Sequence, residues 1–172
     1  MGRKRTQRSI PAERPFVFPP AVRELLGSET EALLQVLDDA SPTSIRLNPL
    51  KPSPSVGSAV PWCANGRYLE ERPVFTLDPL LHAGAYYVQE ASSMLLESAV
   101  KACGPLAQDT VALDLCAAPG GKSTHLAAML PEEALLVCNE PVRTRQTALM
   151  ENLWKWGRPD TVITGSLPEA FA

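Results

Sequence analysis

Only four cysteines occur in the 172 residues, and no two of them stand in a CxxC pair. That excludes the common zinc and dithiol motifs. With no secretory signal legible ahead of them, reduced thiols in a cytoplasmic protein are expected. Histidine is scarcer still: His82 and His125 have no metal-ligand partners at useful sequence spacing, so both are read as structural and no metal is expected. No apolar run approaches the roughly 20 residues needed to span a bilayer, so no membrane association is expected. Positive charge is not in excess either. The net charge of −3 excludes a polyelectrolyte binder that works through its whole surface.

What is present is the 45% apolar content of an ordinary globular protein. Charge is uneven, with Arg3, Lys4, Arg5, Arg8 and Arg14 against the single acid Glu13 at the amino end. Such an arm suits contact with a polyanion, and it equally suits a solvated terminus. Residues 1–20, basic and then proline-rich, are read as this arm.

From Ala21 to Leu37 a helical period appears, interrupted at Gly27-Ser28, and Ser28 with Glu31 forms a candidate capping box. Ser44-Ile45-Arg46-Leu47-Asn48 alternates polar and apolar like a short surface strand. Asn65-Gly66 is a strong turn dipeptide and predicts a hairpin over 62–77. A helix is expected over 89–102 with Met94, Leu95 and Ala99 buried.

The pattern then changes. Val111-Ala112-Leu113-Asp114-Leu115 has the character of a buried strand, and Pro119-Gly120-Gly121 breaks it. A helix follows with Leu126, Met129 and Leu130 on one face. A second strand, Leu135-Leu136-Val137-Cys138, ends in the acid Glu140. A helix over 142–156 turns Leu149, Leu153 and Trp156 inward, and Thr161-Val162-Ile163-Thr164 forms a third strand. Trp154 and Trp156, two apart on that helix, are expected on different faces. Strand, glycine turn, helix, strand, acid is a nucleotide-binding βαβ unit. Three strands leave an open sheet with apolar faces uncovered, and a truncated sequence is expected on that ground.

Two ligands compete for the turn. The phosphate loop, G-x-x-x-x-G-K-[ST], finds Gly121-Lys122-Ser123 but meets Cys116 where its first glycine is required for the anion nest. The other reading places S-adenosylmethionine at the carboxyl end of the first strand. Gly120 and Gly121 admit close backbone approach, and Glu140 stands where it can accept ribose hydroxyls.

Asp114-Leu115-Cys116-Ala117-Ala118-Pro119-Gly120-Gly121-Lys122-Ser123 resembles the cofactor motif of the Sun/Fmu family of RNA cytosine-C5 methyltransferases. Tyr86-Tyr87-Val88-Gln89-Glu90-Ala91-Ser92-Ser93-Met94 and Ser44-Ile45-Arg46-Leu47-Asn48-Pro49-Leu50-Lys51 are similar to two further segments of that family. The resemblance is greatest to its bacterial ribosomal RNA branch. It implies an α/β fold: a partial Rossmann-like class I methyltransferase sheet of about three parallel strands, preceded by a small α+β N-terminal module at 21–80. Residues 81–172 are then the start of the S-adenosylmethionine-binding domain. The resemblance further implies that Cys116, Ala117, Ala118, Pro119, Gly120, Gly121 and Lys122 wrap the methionine part of the cofactor, and that Glu140 binds its ribose. The expected partner is RNA, ribosomal RNA by the branch, with Arg46, Asn48 and Gln89 as candidate contacts. A monomer is expected for the full-length protein.

Two departures stand out. Where the family has an acid near the adenine, this chain has Leu167, with Glu169 two residues on. Cytosine-C5 methylation also needs a cysteine thiolate that adds to C6. The family's two cysteines, after proline and after threonine, have no counterpart, since the chain contains neither Pro-Cys nor Thr-Cys. No catalytic residue is therefore assigned, and the chain alone is expected to be inactive. A non-enzymatic nucleotide- or RNA-binding module is the alternative, with a phosphate-loop NTPase behind it.

Overall fold

A computed structural model describes residues 17–39 and 41–172. The expected basic arm falls almost wholly outside the described residues. The chain forms two compact units, divided after Ser41.

In the first unit, Pro20 opens helix α1 (Pro20–Leu26), where its missing N–H costs nothing. A 3₁₀ turn at Gly27–Glu29 leads directly into α2 (Thr30–Asp38). The expected Ser28–Glu31 capping box does not form, because Glu29 at the cap position is already helical and no side chain caps α2. The Thr30 hydroxyl instead donates to the Gly27 carbonyl at 2.9 Å.

The second unit holds two sheets. Strands β1 (Ser44–Leu47), β2 (Ser58–Val60), β3 (Cys63–Tyr68) and β4 (Tyr86–Val88) form an antiparallel sheet in the order β2-β3-β1-β4. The β2–β3 hairpin turns at Pro61-Trp62, not at Asn65-Gly66, which lie inside β3. Gly66 is there for close packing, since a Cβ on it would lie 2.7 Å from Val60 Cβ and 2.8 Å from Met94 Sδ. A short helix, α3 (Pro79–His82), is capped by Asp78, which accepts from the Leu80 amide. The expected helix over 89–102 begins instead as a 3₁₀ segment at Ala91–Leu95, and only α4 (Leu96–Ala102) is α-helical. Met94 is buried as expected, but Leu95 and Ala99 are exposed, because the 3₁₀ start rotates the buried stripe onto Met94 and Glu97.

Strands β5 (Val111–Asp114), β6 (Leu135–Asn139) and β7 (Thr161–Thr164) form a parallel sheet in the order β5-β6-β7. Helices α5 (Gly121–Met129) and α6 (Arg143–Trp156) connect them. Leu136, Cys138, Leu149, Leu153 and Trp156 pack into one core with Ala117, Ala127 and Ala134. Trp156 is 2% exposed and Trp154 69%, on opposite faces of α6 as the spacing requires. β5 is not the buried strand its hydropathy suggests: Val111 is 68% exposed, and Leu113, Leu135 and Val162 also lie open. One face of this sheet packs on helices, while the other presents these exposed apolar side chains. α5 likewise differs from expectation by burying its polar Ser123, Thr124 and His125 more deeply than Leu126 or Met129.

Candidate cofactor site

The site is built where β5 ends and α5 begins. Asp114 Oδ2 accepts from the Ser123 hydroxyl at 2.7 Å, which ties the strand end to the first turn of the helix. Between them the chain turns through a cis Ala118-Pro119 bond to Gly120, whose φ of 107° is a conformation that L side chains rarely adopt. Gly120 caps α5, and its carbonyl takes the Thr124 amide at 2.8 Å. A Cβ at Gly120 would meet Asn152 Cβ and Leu149 Cδ1, both at 3.4 Å, so this glycine also lets α6 approach. At Gly121 the nearest neighbour of such an atom is Tyr87 Cε1, again at 3.4 Å.

The turn is held rigidly from behind. The Ala117 amide donates to the Asn139 carbonyl at 2.8 Å, Asn152 donates to the Pro119 carbonyl at 2.8 Å, and Arg145 donates to the Ala118 carbonyl at 2.9 Å. The first N–H groups of α5 have no partner within the helix ladder, and the positive end of the helix dipole lies behind them. They border a cleft of about 270 Å³ that brings Cys116, Ala117, Ala118, Pro119, Gly121 and Lys122 together with Tyr87 and Gln89. Pockets that take a whole drug-sized ligand run to roughly 300–1,000 Å³, so this cleft suits one end of such a molecule. Gly120 is buried against α6, behind the cleft.

Glu140 follows β6 and is 1% exposed. Its Oε1 accepts the Val142 amide at 3.0 Å. Its Oε2 has no hydrogen-bond partner, although Arg145 Nη1 stands 3.3 Å away as an ion-pair partner. Arg145 thus spans from the glycine turn to the acid, while its side chain remains 54% exposed. A buried carboxylate oxygen without a directed bond is costly unless something else binds it.

Asn139, one residue earlier, is a positioning residue that the sequence did not single out. Its Nδ2 donates to the Leu115 and Ser166 carbonyls at 3.1 and 3.0 Å, and its Oδ1 accepts from Thr164 Oγ1 and the Ser166 amide at 2.9 and 3.0 Å. One side chain therefore fixes the carboxyl ends of all three parallel strands.

Arg46 and Asn48, expected at an RNA surface, are both wholly buried. Arg46 donates to Gln89 Oε1 (2.8 Å), Thr124 Oγ1 (2.7 Å) and the Gly121 carbonyl (3.1 Å), and its guanidinium lies 4.5 Å from the Trp156 ring centroid. Burial lowers its pKa to about 10, which leaves it charged at neutral pH. Asn48 donates to the Gly84 and Trp156 carbonyls, both at 2.9 Å. Both residues are thus interior supports of α5 and α6, and contact with RNA gives way to that role. Gln89 alone of the three reaches the cleft. Leu167 and Glu169 are both exposed, and neither side chain forms part of the packed core. Of the cysteines, Cys63 and Cys138 are buried, and burial pushes both thiols up to about 11, far from a nucleophilic thiolate. Cys116 is exposed at the cleft rather than packed beneath it.

Comparison with known proteins agrees with this architecture. Residues 15–91 match the family model described as the N-terminal domain of 16S rRNA methyltransferase RsmF, and residues 102–166 match that of 16S rRNA methyltransferase RsmB/F. The ribosomal RNA small subunit methyltransferase F of Aeromonas hydrophila is 38% identical over 135 residues, covering 70% of this chain and 28% of that protein. Its counterpart in Pectobacterium atrosepticum is 34% identical over 186 residues, covering 94% of this chain and 38% of that protein. The chain thus spans 28% and 38% of the length of these two relatives. A crystal structure of a methyltransferase homolog protein from Pyrococcus horikoshii superposes with a TM-score of 0.68 at 23% identity, over 87% of this chain and 57% of that one, and speaks to the fold alone. On both matched segments the chain belongs to the RsmB/F family of 16S rRNA methyltransferases, and its parallel sheet is a partial Rossmann-like methyltransferase sheet.

Proposed function

We propose that this chain carries the cofactor-binding part of an RNA cytosine-C5 methyltransferase that uses S-adenosylmethionine and acts on ribosomal RNA in the cytoplasm. The observation that carries it is Glu140, a buried carboxylate with one oxygen bonded to the Val142 amide and the other lacking a directed bond. That oxygen suits a vicinal diol, since a carboxylate accepts from both hydroxyls of a ribose. The first N–H groups of α5 suit a carboxylate at the other end of the same ligand. The bound cofactor supplies an electrophilic methyl on a sulfonium.

Residues 116–122 hold the methionine end, Gln89 borders it, and Arg145 must release Glu140 when the ribose arrives. In this reading residues 1–20 are an RNA-facing arm, 21–80 the N-terminal module and 81–172 the start of the catalytic domain. No thiol here takes the nucleophile's place: Cys63 and Cys138 are buried and held protonated, and Cys103 and Cys116 are exposed and follow neither proline nor threonine. The chain alone therefore binds cofactor without transferring methyl.

Calorimetric titration with S-adenosylhomocysteine tests this. Saturable one-to-one binding is expected, and Glu140→Gln should weaken it about 10- to 100-fold, the range of a hydrogen bond to a charged group. Binding of ATP with magnesium and not of S-adenosylhomocysteine would overturn the assignment, as would 5-methylcytosine formed on RNA by the chain alone for the claim of inactivity.

A further inference from the structure

Away from the cleft, three chemistry-bearing side chains meet from three separate elements: Cys63 of β3, Glu97 of α4 and His125 of α5. All three are buried. His125 Nε2 lies 3.8 Å from Cys63 Sγ and 3.4 Å from Glu97 Oε2. We propose that Cys63, Glu97 and His125 form a binding site for one zinc-class divalent metal ion, which joins the antiparallel sheet to the helix that opens the cofactor turn.

Geometry is the first support. Zinc binds thiolate sulfur at about 2.3 Å and imidazole nitrogen or carboxylate oxygen at about 2.0–2.2 Å in a tetrahedron. Those bond lengths put ligand atoms of one site about 3.3–3.6 Å apart. The two separations from His125 differ from that by a few tenths of an ångström at most, so the imidazole is already placed to share an ion with each partner. All three ligand atoms lie within 4.8 Å of one another.

The second support is how the donors are held. Glu97 Oε1 takes Lys101 Nζ at 2.6 Å, and the Ala64 amide reaches the carboxylate at 3.3 Å, an arrangement that fixes the group and turns Oε2 toward His125. His125 Nδ1 is buried and has no partner. With the ring proton on Nδ1, Nε2 gives up its bond to Glu97 Oε2 and offers its lone pair to the ion in exchange. Lys101 and the Ala64 amide thus orient Glu97 as outer groups orient the ligands of a metal site.

Charge and softness choose the ion. One thiolate and one carboxylate neutralise a divalent charge, and the charged groups that remain nearby are Arg46 and Lys101. A sulfur donor with imidazole selects zinc or cobalt over magnesium or calcium. Three protein donors leave one tetrahedral position for water. The Cys63 thiol gives its proton to solvent as the metal–sulfur bond forms, and no electron changes hands.

Chelator-stripped protein titrated with Co²⁺ is the test. One saturable equivalent is expected, with a near-ultraviolet thiolate-to-cobalt charge-transfer band that Zn²⁺ bleaches. Cys63→Ser should abolish the band. His125→Asn should weaken affinity by more than about 100-fold, beyond the 10- to 100-fold that loss of an outer-shell group costs. A Cys103→Ser/Cys116→Ser double variant, which removes the exposed thiols, should bind as the parent does. Glu97→Gln, nearly isosteric, covers the case in which Cys63→Ser fails to fold, and circular dichroism checks each variant. Absence of saturable binding, a band that vanishes with Cys103 and Cys116, or unchanged affinity in folded His125→Asn would each overturn the proposal.

Discussion

Strands β1 and β5 each contribute four residues to a sheet, and their surroundings could hardly differ more. β1 lies between β3 and β4, is buried at every position, and carries a charged guanidinium inside. β5 is an edge strand, is apolar at three of four positions, and leaves Val111 and Leu113 open to solvent. Burial follows from what covers an element on both faces and both edges. A polar side chain can be buried when its donors are met, and an apolar one stays exposed when nothing lies over it.

Substitutions can break this contrast or sharpen it. The largest effect is expected at Arg46. Arg46→Met would leave Gln89 Oε1, Thr124 Oγ1 and the Gly121 carbonyl short of a donor, and urea unfolding should show a loss of about 3–5 kcal/mol. A loss below about 1 kcal/mol would mean that the buried charge contributes no net support. On the covered face of the parallel sheet, Leu136→Ala opens a cavity in the main core and should cost about 2–5 kcal/mol in the same assay.

A smaller change is expected from pH. Burial, with Arg46 nearby, lowers the His125 pKa to about 4, so the folded state keeps the ring neutral where the unfolded chain, near the ordinary 6.5, has begun to take up a proton. Its contribution is present above 6.5 and is lost as pH falls through that window. Burial pushes Glu97 up, but bonds from Lys101, Cys63, the Ala64 amide and His125 outweigh it and hold the carboxyl near 2, so its loss follows at lower pH. In metal-free protein the urea midpoint should therefore drop from pH 6.5 toward 4, and His125→Asn should flatten that slope. Smallest of all, Val111→Thr on the open face should change stability by no more than about 0.5 kcal/mol. A cost like that of Leu136→Ala would show that this face is covered in solution.

The βαβ unit was legible because it is local. Strand, turn, helix and strand follow one another, and Leu149, Leu153 and Trp156 fall inward at the helical period alone. The glycine turn was equally plain, since Gly120 needs a backbone conformation that other residues resist. What could not be read depends on distant partners. Asn65-Gly66 has the composition of a hairpin turn, yet Val60 and Met94 demand a glycine there within a strand. Arg46 looks like a surface charge until Gln89 and Thr124 are brought to it. Cys63, Glu97 and His125 share no spacing signal, and only the packing of β3, α4 and α5 makes them neighbours.

Asn139 has a consequence for the thermodynamics of ligand capture. Its four hydrogen bonds clip the three strand ends before any ligand arrives, so the backbone around Glu140 has little freedom left to surrender. Ordering is then confined to Arg145 and the ligand itself, and association should carry a small entropic penalty from the protein. An aspartate at 139 has almost the same shape but turns an acceptor toward the Leu115 and Ser166 carbonyls. Lone pairs would face lone pairs, and a preformed crevice would become one that must be ordered afresh with each encounter.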